Sequence, residues 1–206
     1  LHRRASCVTV LHMVSISNEE SEAPVGDRIL DAAAACVLAY GVERVTLAEI
    51  ARRAGVSRPT VYRRWPDTRS ILAALLTARV TRVLDDAGDR EVGRTALVAR
   101  IVAVAGRLRD DQIVMSVLHN APELAMVYIS ERLGTSQQIL IDATAGQIKL
   151  AQEHGSVRAG DPRRLAAMCL LITQSAVQSA QMVEPILGAD ELAVELAHAL
   201  NGYLQP

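Results

Sequence analysis

The sequence has no phenylalanine, one tryptophan and four tyrosines in 206 residues. A core without aromatic bulk must be filled by aliphatic side chains and alanine, and half of the residues are hydrophobic. So much apolar content rules out a disordered chain. Alanine and leucine favour helices, whereas sheets draw on aromatic and β-branched residues, so the composition points to an all-α fold. Cysteine is scarce as well: Cys7, Cys36 and Cys169 are odd in number and far apart. They offer neither metal-ligand spacing nor a disulfide framework, which suits a reducing cytoplasm. A membrane span is missing too. The longest uncharged stretch, residues 165–183, holds Thr173, Gln174, Ser175, Gln178, Ser179 and Gln181, too polar for lipid and suited to a helix buried between protein surfaces. Catalytic signatures are also lacking: there is no Gly-rich phosphate loop, no nucleophile elbow and no histidine pair at metal spacing. His119, His154 and His198 are scattered. The sequence therefore leads to no enzyme, no metal and no cofactor.

What is present becomes visible when the net charge of −1 is divided along the chain. Residues 44–69 carry Arg44, Arg52, Arg53, Arg58, Arg63, Arg64 and Arg69 against Glu49 and Asp67, a net of +5, leaving −6 for the rest. One short basic segment on an acidic body suggests a polyanionic partner; the alternative is a solvated helical face. Lys149 is the only lysine, a bias of composition more than of chemistry. Residues 1–24 are expected to be a disordered extension, with polar residues 15–24 ending in Pro24 and a translation start at Met13. A basic arm of His2, Arg3 and Arg4 reaching the minor groove is the alternative.

Helical periodicity starts at Ile29, Ala33, Cys36, Val37 and Tyr40, one face of an amphipathic helix closed by Gly41. Thr46 followed by Glu49 predicts a capping box, and Val45 with Ile50 a hydrophobic staple. Leu47, Ile50, Ala51 and Ala54 face inward, and Gly55 stops this helix. Ser57 starts a second one, with Val56 and Val61 as its staple and Pro59 in the first turn; Pro66 ends it. Two short capped helices joined at a glycine turn form a helix-turn-helix. Asp67 caps a longer helix marked by Ile71, Leu72, Leu75, Leu76, Val80, Val83 and Leu84. Further helices are expected at about 93–109, 112–119, 122–154 (broken near Gly134), 161–183 and 189–204.

With the staples buried, the second short helix is left exposing Arg58, Thr60, Tyr62, Arg63 and Arg64. Arginine forks onto guanine or clamps phosphate, threonine meets a thymine methyl, and tyrosine reaches a phosphate oxygen. A helix of about two turns fits the major groove, its N-terminal N–H groups toward phosphate.

Residues 26–76 closely resemble the DNA-binding region of the TetR/AcrR family of transcriptional regulators. The marks are Ile29-Leu30-x-Ala32-Ala33, Tyr40-Gly41, Thr46-x-x-x-Ile50-Ala51-x-x-Ala54-Gly55-Val56-Ser57 and Thr60-x-Tyr62-x-x-Trp65-Pro66. Trp65 stands where the family usually has phenylalanine, and Thr68 where a backbone-contacting lysine is common; Arg69 is the natural substitute. The resemblance implies an N-terminal three-helix helix-turn-helix domain over residues 25–70 and a larger helical regulatory and dimerisation domain over 71–206. It implies a repressor that binds a palindromic double-stranded DNA operator as a homodimer through Thr46, Ser57, Arg58, Pro59, Thr60, Tyr62, Arg63, Arg64, Thr68 and Arg69, and that a small-molecule effector releases.

The family's habit of pairing its last two helices points to a dimer interface at Leu171, Ala176, Ser179, Ala180, Leu192, Leu196, Leu200 and Tyr203; ordinary core is the alternative. Candidate effector contacts are Met115, His119, Asn120, Met126, Tyr128, Gln138 and Asp142. For Met115 and Met126 the competing reading is plain core, and for His119 a helix-end cap. Scarce aromatics favour an aliphatic or amphipathic effector. An architectural or partner-controlled DNA-binding protein with no effector is the alternative function.

Overall fold

A computed structural model of the protein describes residues 24–88, 91–120 and 134–206. All its elements are helices: α1 Val25–Tyr40, α2 Leu47–Ala54, α3 Arg58–Arg64, α4 Thr68–Ala87, α5 Arg94–Asp110, α6 Gln112–Asn120, α7 Thr135–Glu153, α8 Pro162–Val183 and α9 Ala189–Leu204, with a short 3-10 turn at Val42–Arg44 before α2. The fold is all-α, and among the described residues none lies in a strand.

Local sequence accounts for where these helices begin and end. Thr46 Oγ1 accepts from the backbone N–H of Glu49 at 3.2 Å. The expected capping box is only half formed, because the Glu49 carboxylate turns to Arg52, at 2.6 Å from Nη2 and 2.9 Å from Nε. A charge-assisted fork outcompetes one bond to a backbone N–H. The full reciprocal box forms instead at α4, where Asp67 Oδ1 accepts from Ser70 N at 2.7 Å and Ser70 Oγ accepts from Asp67 N. Gly55 ends α2 at φ 64°, ψ 35°, the left-handed cap that suits glycine. Asp161 caps α8, its carboxylate accepting from Arg164 N at 2.8 Å, with Pro162 in the first turn.

Two apolar clusters hold the molecule together. The first joins α1, α2 and α3 through Ile29, Val37, Ile50 and Val61, and it extends into α4 (Ile71, Leu72, Leu75, Leu76) and α6 (Ile113, Val114, Val117). Packing therefore continues past residue 70, because the first half of α4 lies against α1 and α6. Tyr40, expected on the inner face of α1, is 44% exposed, since it lies at the helix end. The second cluster joins α5, α7, α8 and α9 through Leu97, Ile141, Ile148, Leu165, Leu200 and Leu204.

Candidate functional site

The helix-turn-helix is the first part of the site. Val61 is wholly buried and pins α3 to the core. At 100° per residue, Tyr62, Pro59 and Arg63 lie about 100–160° round from Val61, and Arg58 flanks Tyr62 one turn earlier; all four are exposed, Tyr62 by 51%. Thr60 and Arg64 fall outside that face. Thr60 is half-buried and its hydroxyl shares a 2.8 Å hydrogen bond with that of Ser57. Arg64 turns back toward α1: its Nη1 lies 3.1 Å from where a Cβ on Gly26 would stand. Thr46 is committed to capping α2, and Arg52 is neutralised by Glu49. Thr68 is half-buried at the start of α4, and Arg69 beside it is exposed. The outward face is thus basic and aromatic, with Arg58, Arg63 and Arg69 as its cations. Its chemistry suits phosphate and guanine edges.

The second part is a cavity of about 160 Å³ among α4, α5, α6, α7 and α8. Its apolar wall comes chiefly from Val80, Leu84, Ile101, Val104, Leu140 and Val177, and its polar wall from Arg100, Ser136, Gln137, Thr144, Gln147 and Gln174. Among the described residues, no aromatic side chain lines it. Of the effector contacts expected from sequence, those among the described residues lie outside this cavity. On α7 the lining residues Gln137, Leu140, Thr144 and Gln147 repeat at helical spacing, which puts Gln138 and Asp142 on the other side. Gln138 is exposed, and Asp142 pairs with Arg163 of α8 at 2.6 Å. On α6, Val114 and Leu118 face the cavity, so Met115 and His119, one residue further round, do not. Asn120 is exposed and donates to Ser116 Oγ at 3.4 Å. Met126 and Tyr128 lie outside the described residues. The polar lining that sequence reasoning missed is the inner face of α7 and α8, where uncharged polar side chains recur at i, i+3, i+4 spacing; that repeat was a usable signal.

The expected dimer contacts divide in the same way. Leu171 is 58% exposed, while Ala176, Ser179, Ala180 and Leu192 are half-buried. Leu196 and Leu200 belong to the chain's own core, because α9 uses that stripe against α5 and α8. Tyr203 is also occupied internally, with the Arg158 guanidinium 4.6 Å from its ring centre and Arg158 Nε donating to its carbonyl at 2.8 Å. Exposed apolar residues not foreseen are Met168, Met182, Ile186 and Val194, and Ile186 is 86% exposed. Among the described residues, no helix is long and apolar enough to cross a membrane, and no three His, Cys, Asp or Glu side chains gather to hold a metal.

An all-helical chain with a capped helix-turn-helix and a basic outward helix face is a DNA-binding regulator by construction. The family model for bacterial regulatory proteins of the tetR family matches residues 29–75. An uncharacterized HTH-type transcriptional regulator of Mycobacterium tuberculosis is 62% identical over 192 residues, 93% of this chain and all of that protein. The chain belongs to the TetR family of helix-turn-helix transcriptional regulators. Among solved structures, the TetR-family repressor QsdR of R. erythropolis superposes with a TM-score of 0.65 at 19% identity, over 88% of this chain and 96% of that one. RolR in complex with resorcinol gives the same TM-score at 18% identity, over 87% of each chain. These likenesses establish the fold.

Proposed function

We propose that this regulator is a cytoplasmic homodimer that represses by occupying a palindromic operator and that leaves the DNA when a small molecule fills the cavity. The observation that carries this reading is a shared wall. Leu76 and Val114 belong to the core that holds the helix-turn-helix and also line the cavity. A ligand that shifts α4 or α6 therefore disturbs the seating of α1, on which both pack, and this biases one arrangement of the reading heads over another. Two further observations support it. Arg58, Tyr62 and Arg63 form one exposed face on a helix that fits a major groove. The apolar residues Met168, Leu171, Met182 and Val194 on α8 and α9 form a surface that a twofold-related copy can cover. RolR, a relative in fold, was solved with the ligand resorcinol.

The test is fluorescence anisotropy with labelled DNA from upstream of the protein's own coding sequence, against an unrelated fragment, at two salt concentrations. The reading expects tight binding to the upstream fragment alone, by a species with the mass of two chains. Equal, steeply salt-dependent binding to both fragments would replace it with an architectural role. A folded dimer that binds neither at low salt would end it.

A further inference from the structure

We infer that the cavity takes a small aliphatic molecule carrying a carbonyl-type hydrogen-bond acceptor, held by the side-chain amide of Gln174. This rests on the effector reading above and names the class of ligand. The argument starts at the head of α7. The backbone N–H of Gly134 can only donate, and it donates to Gln137 Oε1 at 2.9 Å. That fixes the orientation of the Gln137 amide, whose Nε2 then donates to Gln174 Oε1 at 2.8 Å. The oxygen of Gln174 is thereby turned toward Gln137, which leaves the two N–H donors of its Nε2 for an acceptor in the cavity that Gln174 lines. Gln174 is half-buried in a lining that is mostly apolar, so a ligand that brings an acceptor gains a hydrogen bond there.

The remaining lining sharpens the class. Among the described residues the cavity has no aromatic ring to stack on, and its apolar wall is chiefly leucine, valine and isoleucine. Its charged lining residue, Arg100, is again donor-only, while the lining residues Gln147 and Thr144 accept as well as donate. A volume of about 160 Å³ compares with the roughly 150 Å³ that holds benzene, so the ligand has about six to nine non-hydrogen atoms.

Isothermal titration of the full chain with 2-heptanone, heptanoate and heptylamine tests this, because all three are unbranched seven-carbon chains that differ in their polar group. The ketone and the carboxylate should bind, and the amine at least about fivefold more weakly, as one net hydrogen bond of about 1 kcal/mol implies. Heptanoate ahead of 2-heptanone marks an anionic ligand, and the reverse order a neutral one; both support the class. Gln174→Leu should remove the preference for the acceptors. Gln174→Glu, which keeps the bond from Gln137 but faces the cavity with acceptors only, should turn it toward heptylamine. Equal binding of amine and ketone, a preference that survives Gln174→Leu, or no heat from any of the three at millimolar concentration would overturn the inference. A probe that binds without loosening the DNA would count against the effector reading and leave this one standing.

Discussion

Around α1–α3 the interior is complete and the chemistry lies outside it. Ile29, Ile50 and Val61 are wholly buried, and what they leave at the surface is Arg58, Tyr62 and Arg63. The helices from α4 to α8 are arranged the other way. Their outer faces are ordinary, with Asp142 paired to Arg163, and the chemistry lies in the space between them, where Gln137 and Gln174 meet. The two buried cysteines repeat the contrast. Burial raises the pKa of Cys36 in the first cluster, but the Arg53 and Arg52 guanidiniums beside it offset part of the rise. Cys169, in the cavity wall, is pushed up to about 11 by burial, with little relief from Arg158. One region presents fixed charge to a large polyanion. The other keeps charge low and space open for something small.

The largest effect should come from taking charge off the outer region. Arg58→Ala with Arg63→Ala removes two exposed cations from the outward side of α3. At about 1–3 kcal/mol per DNA contact, operator affinity should fall by roughly a hundredfold or more. The melting temperature should hardly change, since neither side chain is part of the core. Anisotropy and differential scanning calorimetry on the same samples check both halves. A variant that loses DNA binding and stability together would mean that α3 is not a surface laid on a finished core. Next in size, Ile50→Ala should cost about 2–4 kcal/mol in urea denaturation, because its side chain is fully buried and leaves a cavity. Leu171→Asp, on a side chain 58% exposed, should leave the fold of one chain intact and shift the dimer toward monomer in analytical ultracentrifugation. An unaltered dimer would put the partner surface somewhere other than α8.

The same contrast explains how far the sequence could be read. The helix-turn-helix was legible because its signals are local: Thr46, Gly55, Ser57 and Asp67 each punctuate a helix end within three or four residues, and the structure uses all four. Only the Glu49 half of a capping box failed, because Arg52 was a better partner than a backbone N–H. The longer helices were placed within a residue or two over 94–120, 162–183 and 189–204. Their inward faces were another matter. Period alone cannot tell a helix that buries one face from one that buries two. The stripe Leu196–Leu200–Tyr203 has the pattern of a dimer seam, yet it is occupied by the chain's own α5, α8 and Arg158. A cavity belongs to no segment; it exists only once five helices have been placed, so residues chosen one at a time, such as Gln138 and Asp142, fell on its outside.

A pH experiment sharpens the comparison of the two thiols. A cysteine whose pKa is higher folded than unfolded contributes stability that is present in full below the unfolded value. That contribution is lost as pH rises toward the folded value, because the unfolded chain releases its proton first. For Cys169 the window runs from about 9 to about 11. Relative to Cys169→Ala, stability should fall by about 1.4 kcal/mol per pH unit across it. Cys36→Ala should show a smaller slope, because Arg53 and Arg52 stabilise its thiolate. Equal slopes would mean that the two interiors are alike in polarity and that the contrast between them fails.

The smallest effect is also the most discriminating, because it makes one chemical change in each region. Thr46→Ala and Asp161→Ala each delete an N-cap, the first at 3.2 Å to Glu49 N and the second at 2.8 Å to Arg164 N. Each should cost about 1 kcal/mol of stability. If losing a cap matters only through global stability, both variants should bind operator alike under conditions where both are folded. Thr46, however, sets the entry of α2, and α2 with Gly55 sets the angle of α3. Asp161 sets only the start of α8, behind the cavity. Thr46→Ala should therefore weaken operator binding by a few-fold at a temperature where Asp161→Ala leaves it unchanged. Equal binding by the two would show that α3 is held by Ile50 and Val61 alone, and that the cap contributes to folding without aiming the helix.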